Sequence, residues 1–144
     1  MKRYLLLALV VLVVLAGCGQ RKEVVAYLED SQSILERWSD AYDRAASTGR
    51  IALAPVIGEL QEVRRDFGDL DPPEDAAYMH SAVLDAMNFS IDGFLLFMAD
   101  EDEAEVSRLF SLAERSMGWA FDDLDELREE YGLKPPHSSP PKLK

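Results

Sequence analysis

The sequence holds a single cysteine, Cys18, in 144 residues. No intramolecular disulfide can form, so packing alone must hold the fold. Histidine is nearly as scarce, with only His80 and His137. A catalytic zinc site normally takes three protein ligands, and this supply of soft donors is thin. Basic residues are also few: 15 Lys and Arg face 27 Asp and Glu, for a formal charge of −12. Nucleic acid is excluded as a partner, because its phosphates require a basic surface. The same balance keeps a folded body from lying flat on anionic lipid. No segment alternates polar and apolar residues as a strand would, and no repeat of fixed period is present.

Motifs that carry catalysis are lacking as well. There is no glycine-rich phosphate loop and no Gly-x-Ser-x-Gly elbow. Paired carboxylates occur throughout so acidic a chain and discriminate nothing. The protein is therefore expected not to be an enzyme, and no cofactor is implied.

What is present is helical patterning. Val24, Leu28, Ser31, Leu35, Trp38, Tyr42 and Ala45 alternate by four and three, the stripe of a helix packing on helices. Leu53, Val56/Ile57, Leu60, Val63 and Phe67 continue the pattern in a second segment. Pro55 falls in that segment's first turn, where its missing N–H is tolerated, and Gly58 weakens it. Asp69-Leu70-Asp71-Pro72-Pro73 is the clearest break. Asp71 is expected to cap a third helix with Pro72 at its first position. Ala77, His80, Leu84, Met87, Ile91, Phe94 and Met98 form its stripe, with Gly93 where a neighbouring helix comes close. Asp100-Glu101-Asp102-Glu103 suits the positive end of a fourth helix. That helix carries Val106, Phe110, Ala113, Met117, Ala120, Leu124, Leu127 and Tyr131, and stops at Gly132.

The N-terminus has a different character. Met1-Lys2-Arg3 is basic, Tyr4 to Ala16 is uncharged, and Leu15-Ala16-Gly17-Cys18 closes the segment. This is the order of an export signal. Its apolar run of 13 residues falls short of the ~20 that a helix needs to cross a bilayer. Leu15-Ala16-Gly17-Cys18 resembles the lipobox of bacterial lipoproteins. The resemblance covers the first 18 residues only. It implies a diacylglycerol thioether on Cys18, cleavage between Gly17 and Cys18, and fatty acyl chains such as palmitate as the membrane anchor. It places the protein in the cell envelope, on the outer leaflet of the cytoplasmic membrane or on the outer membrane. Gly19 is not the Asp that would suggest retention at an inner membrane. Cleavage removes Lys2 and Arg3 and moves the formal charge from −12 to −14. Beyond Cys18 the chain is similar to small helical envelope lipoproteins in composition and helix pattern alone.

The reading is an all-α chain: residues 1–17 a cleaved signal peptide, 18–133 an antiparallel up-down four-helix bundle, and 134–144 a disordered tail. The helices are expected over about 21–48, 52–67, 72–98 and 102–131. A helical hairpin pair that dimerises to complete its core is the alternative.

Three side chains stand out as candidate ligand or partner contacts. His80 lies on the core stripe, where it reads as a structural histidine or as a ligand to metal or haem. The Glu-x-x-His motif of di-iron bundles is absent, because Ala77 precedes His80 by three. A calcium loop starting at Asp100 would need Gly at its sixth position and Glu at its twelfth, and the residues there are Glu105 and Ser111. Trp119 and Phe97 lie beside their stripes and could line a groove for a partner helix or an apolar ligand. The leading expectation is a lipid-tethered, non-enzymatic module that acts through an envelope protein partner. The alternative is a ligand- or metal-binding sensory bundle using His80 and an aromatic groove.

Overall fold

Helix boundaries in this chain follow its breakers. The computed structural model describes residues 2–133, with side chains described from Gly19 onward. Among the described residues the protein is all-helical, with four α-helices and no strand. α1 spans Lys2–Ser47, α2 Ala54–Gly68, α3 Ala77–Met98 and α4 Glu103–Glu130. Single 3-10 turns, Arg50–Ala52 and Glu74–Ala76, lead into α2 and α3. The tail expected over 134–144 lies outside the described residues.

α1 starts well before residue 21, where the stripe alone placed it. No proline interrupts residues 2–47, and Gly17 and Gly19 each cost only about 1 kcal/mol relative to Ala, so the helix passes through Cys18 without a break. The start of the third helix also differs from expectation. Pro72 is held extended by the proline that follows it, and Pro73 itself is extended at ψ 159. Asp71 therefore caps nothing. Pro73 opens a 3-10 turn without a side-chain cap, and α-helix begins only at Ala77. Ala77, expected on the core stripe, is exposed as a result. At α4 the expected acidic start is realised by Asp102, whose carboxylate accepts the Ala104 N–H at 3.0 Å.

The α3–α4 connection is closed by a left-handed residue. Asp100 has φ 61, and Glu101 N–H reaches back to the Leu96 carbonyl at 3.1 Å. Glycine usually occupies this position after a helix. Aspartate can stand in because its short polar side chain tolerates the conformation. Gly132 ends α4 in the same way at φ 68.

α3 organises the core. It carries ten buried residues, including Met79, Val83, Met87 and Phe94. Leu28 of α1 and Leu60 and Phe67 of α2 are buried against the same core. Consecutive helices pack most extensively on one another, α3 and α4 above all. Phe94 meets Phe110 edge-on at 5.0 Å and Tyr42 at 5.4 Å between ring centroids. Glu74–Met98 is long and apolar enough to cross a membrane, with mean hydropathy 1.3. Its burial among the other helices accounts for that composition.

Gly93 marks the close approach of α3 and α4. A Cβ there would stand 3.1 Å from the Phe110 ring. Gly58 on α2 is exposed, and nothing lies within 4 Å of its virtual Cβ. Gly93→Leu is predicted to destabilise the fold by about 1–3 kcal/mol through overpacking. Gly58→Ala should stabilise it by about 0.5–1 kcal/mol through helix propensity. Urea unfolding followed by circular dichroism measures both. A stable Gly93→Leu variant would contradict the close helix contact.

Candidate functional site

Two regions of the chain bring chemistry together: the end of the domain next to Cys18, and the buried crossing at His80. Cys18 lies within α1. Gln20 and Arg21, directly after it, are exposed and fastened to other elements. Gln20 donates to the Asp75 carboxylate at 3.0 Å, and Arg21 donates to the Tyr131 carbonyl at 3.0 Å. The Tyr131 hydroxyl donates to the same Asp75 carboxylate. This bond opposes ionisation and pushes the Tyr131 phenol up to about 12. The 3-10 turn before α3, the end of α4 and the start of α1 thus share one polar cluster. Among the described side chains of α1, Val24 is the first that is fully buried, six positions beyond Cys18.

His80 sits where three helices meet. Its Nδ1 is 2.9 Å from the Tyr27 hydroxyl of α1. Its ring stacks on Phe67 of α2 at 4.9 Å and 17°. All three side chains are buried. Burial raises the Tyr27 pKa far above its ordinary value, so the phenol stays protonated. A protonated phenol and a neutral imidazole share this bond, and the ring tautomer sets which of the two donates. Burial also lowers the His80 pKa from 6.5, in keeping with the neutral form. Among the described residues no three His, Cys, Asp or Glu side chains are grouped so as to hold a metal ion.

Phe97 and Trp119 lie elsewhere. Phe97, on the last turn of α3, is 38 % exposed. The Arg50 guanidinium stacks over its ring at 4.9 Å and also pairs with Asp100. Trp119, midway along α4, is 53 % exposed. Phe110 lies against Gly93 and Phe94, so Phe97 falls level with about residue 107 of α4. Trp119 is ~18 Å further along at 1.5 Å per residue. The structure places His80 in the core and the two exposed aromatics apart, so the three do not share a groove.

Two participants escaped the sequence pattern. Tyr27, the partner of His80, stands one position off the stripe through Leu28, and only the fold brings it to a residue 53 positions away. Arg128 is buried and donates to Gln32 of α1 at 3.4 Å. Burial lowers its pKa, and Asp125 partly offsets the shift.

Compared with known protein families, with characterised proteins and with solved structures, the chain has no significant match.

The His80 crossing has a pH signature. A folded-state pKa below 6.5 means the unfolded chain binds the proton more readily. Stability from this site is therefore complete above about pH 6.5 and is lost as pH falls through the lowered folded value. The melting temperature should decline below about pH 6.5, and His80→Gln should flatten that part of the decline. Tyr27→Phe leaves Nδ1 without its hydrogen-bond partner and should cost about 1–2 kcal/mol at neutral pH. Identical profiles for wild type and His80→Gln would contradict this account.

Proposed function

We propose that this protein is an envelope lipoprotein whose four helices form an antiparallel up-down bundle, held close to the membrane by lipid on Cys18, and that it acts by contact with an envelope protein rather than by catalysis. The observation that carries the reading is the order of the N-terminal segment: basic start, uncharged run of 13 residues, then Leu15-Ala16-Gly17-Cys18. One acyl chain binds a membrane only reversibly, whereas two or three on one cysteine hold a protein durably. With a formal charge of −14 after cleavage, the folded body gains nothing from anionic lipid and depends on the anchor.

Helix pairings support the bundle. Numbering rises on α1 as it falls on α2 in the Arg37–Asp66 and Arg44–Glu59 salt bridges. It does the same between α2 and α3, where Arg64 donates to Asn88 and Leu84 lies beside Gly68. The position of the body follows from α1. Six residues of helix separate Cys18 from the buried Val24, ~9 Å at 1.5 Å per residue. Gln20 and Arg21 are tied to the domain, so no flexible spacer intervenes. A domain held this way reaches only what lies on or in the same membrane.

The chemistry at His80 favours the interaction reading over the sensory one. Tyr27 occupies Nδ1 and Phe67 covers a ring face. Both contacts are those of a structural histidine.

The direct test is metabolic labelling with an alkyne fatty acid. Wild type should label and fractionate with membranes, and its N-terminal peptide should begin at an acylated Cys18. Cys18→Ser should neither label nor be cut at that bond. A labelled Cys18→Ser variant overturns the anchor. Isolation in mild detergent after in-cell crosslinking tests the accessory role. Recovery of the lipoprotein alone, or only with copies of itself, contradicts it.

A further inference from the structure

α3 carries only two acidic and no basic residues, Asp85 and Asp92, seven positions apart. Four residues after each comes a half-buried apolar side chain, Phe89 and then Leu96. Neither is packed against the main core. α4 repeats the same intervals with the opposite charge: Arg108, Leu112, Arg115, Trp119. Leu112 is half-buried and likewise apart from the main core, and Trp119 is exposed. Among the described residues Asp85, Asp92 and Arg115 form no salt bridge within the chain. Arg108 is bonded to Glu105 on its own helix.

Seven residues fall about 20° short of two full turns, so each set forms one stripe along its helix. The apolar positions of both stripes face away from α1 and α2, while Asp92 lies one turn from Asn88, which accepts from Arg64 of α2. Phe89 lies nine residues from His80, which at ~100° per residue is the opposite side of α3, and His80 faces Tyr27 and Phe67. Leu112 lies ~160° around α4 from Arg128 on the same measure, and Arg128 faces α1. Because Phe110 packs against Gly93, the helices lie side by side and their stripes flank one outer groove. Over residues 85–96 of α3 and 108–119 of α4 its floor is apolar, its α3 rim acidic and its α4 rim basic, with Glu105 and Asp123 of α4 at the two ends of the floor.

We propose that this groove is the surface on which two copies of the chain associate, about a twofold axis running along it. Such a rotation lays the α3 stripe of each copy over the α4 stripe of the other, which is the self-complementarity of an isologous interface. Asp92 then stands level between Arg108 and Arg115 of the second copy, ~4.5–6 Å from each along the axis, within the reach of an arginine. Phe89 stands level with Arg115, a geometry suited to cation–π contact. A twofold axis lying across the helices would instead set acid on acid and base on base. The matched intervals thus select both the second copy and the orientation. α3 and α4 alone carry this inference, whatever Cys18 bears. The axis along the helices would also keep both N-terminal ends on one side. Two helices ~30 Å long present roughly 600 Å² per copy, the small end of specific interfaces. The dimer is therefore an exchanging one, strengthened where tethering raises local concentration.

The test is charge reversal and rescue on the full-length protein in detergent, read by sedimentation across a concentration series, with circular dichroism to check helix content. Wild type should approach a dimer as concentration rises. Asp85→Lys with Asp92→Lys should weaken association by about tenfold or more, as should Arg108→Glu with Arg115→Glu. Combining all four substitutions should restore it. A wild type that stays monomeric overturns the proposal, whatever else might use the groove. So does a dimer indifferent to both reversals, or a helical fourfold variant that stays monomeric.

Discussion

Burial of α3 is the constraint on which the rest depends. Its 22 residues include no basic side chain and only two carboxylates, and ten of them are buried. A helix so apolar cannot remain alone in water, because each fully buried Leu, Met or Phe contributes about 1.5–3 kcal/mol that exposure would forfeit. α1, α2 and α4 supply the cover. The short links on either side of α3 follow from the same need, since they let α2 and α4 fold back onto it. Gly93 lets Phe110 approach, and α3 turns His80 toward both α1 and α2.

That arrangement connects the start of α1 to the core. α1 is at once the continuation of the N-terminal segment through Cys18 and a wall of the domain. Tyr27 is joined to His80 three residues after Val24 enters the core, and Gln20 and Arg21 are tied to Asp75 and Tyr131 before that. The residues directly after Cys18 are therefore fixed to the domain without a flexible spacer. The two carboxylates of α3 fit the same scheme. Both lie on its outer flank, and α4 places arginines at the same interval.

Much of the fold was legible because helix periodicity and breakers are local. Val24, Leu28, Ser31, Trp38 and Ala45 were read from spacing and are buried. Tyr27, Ile34 and Ala41 were missed, since α1 meets more than one neighbour and buries a wider arc than a single stripe. On α4 the pattern chose Phe110 and Met117, which are half-buried, over Leu109 and Ser116, which are buried. The start of the third helix was misplaced because Asp-Pro reads as a cap, while Pro-Pro holds the chain extended. The candidate contacts were less legible. Spacing put His80 in the core, but its tyrosine and phenylalanine partners come from distant segments. No local rule separates Phe97 from Trp119 by the length of several helical turns. The left-handed Asp100 was hidden in a run of acids that reads as a helix start.

Hydrogen exchange on the full-length protein in detergent tests the central claim most directly, namely that α1 is an integral wall of a unit organised around α3. Amides of α3 should exchange last, and those of α1 from Val24 to Ala45 should become exposed in the same cooperative opening. If α1 exchanges at the rate of an isolated helix while α2, α3 and α4 stay protected, α1 is an attached stalk rather than part of the core, and the account is wrong.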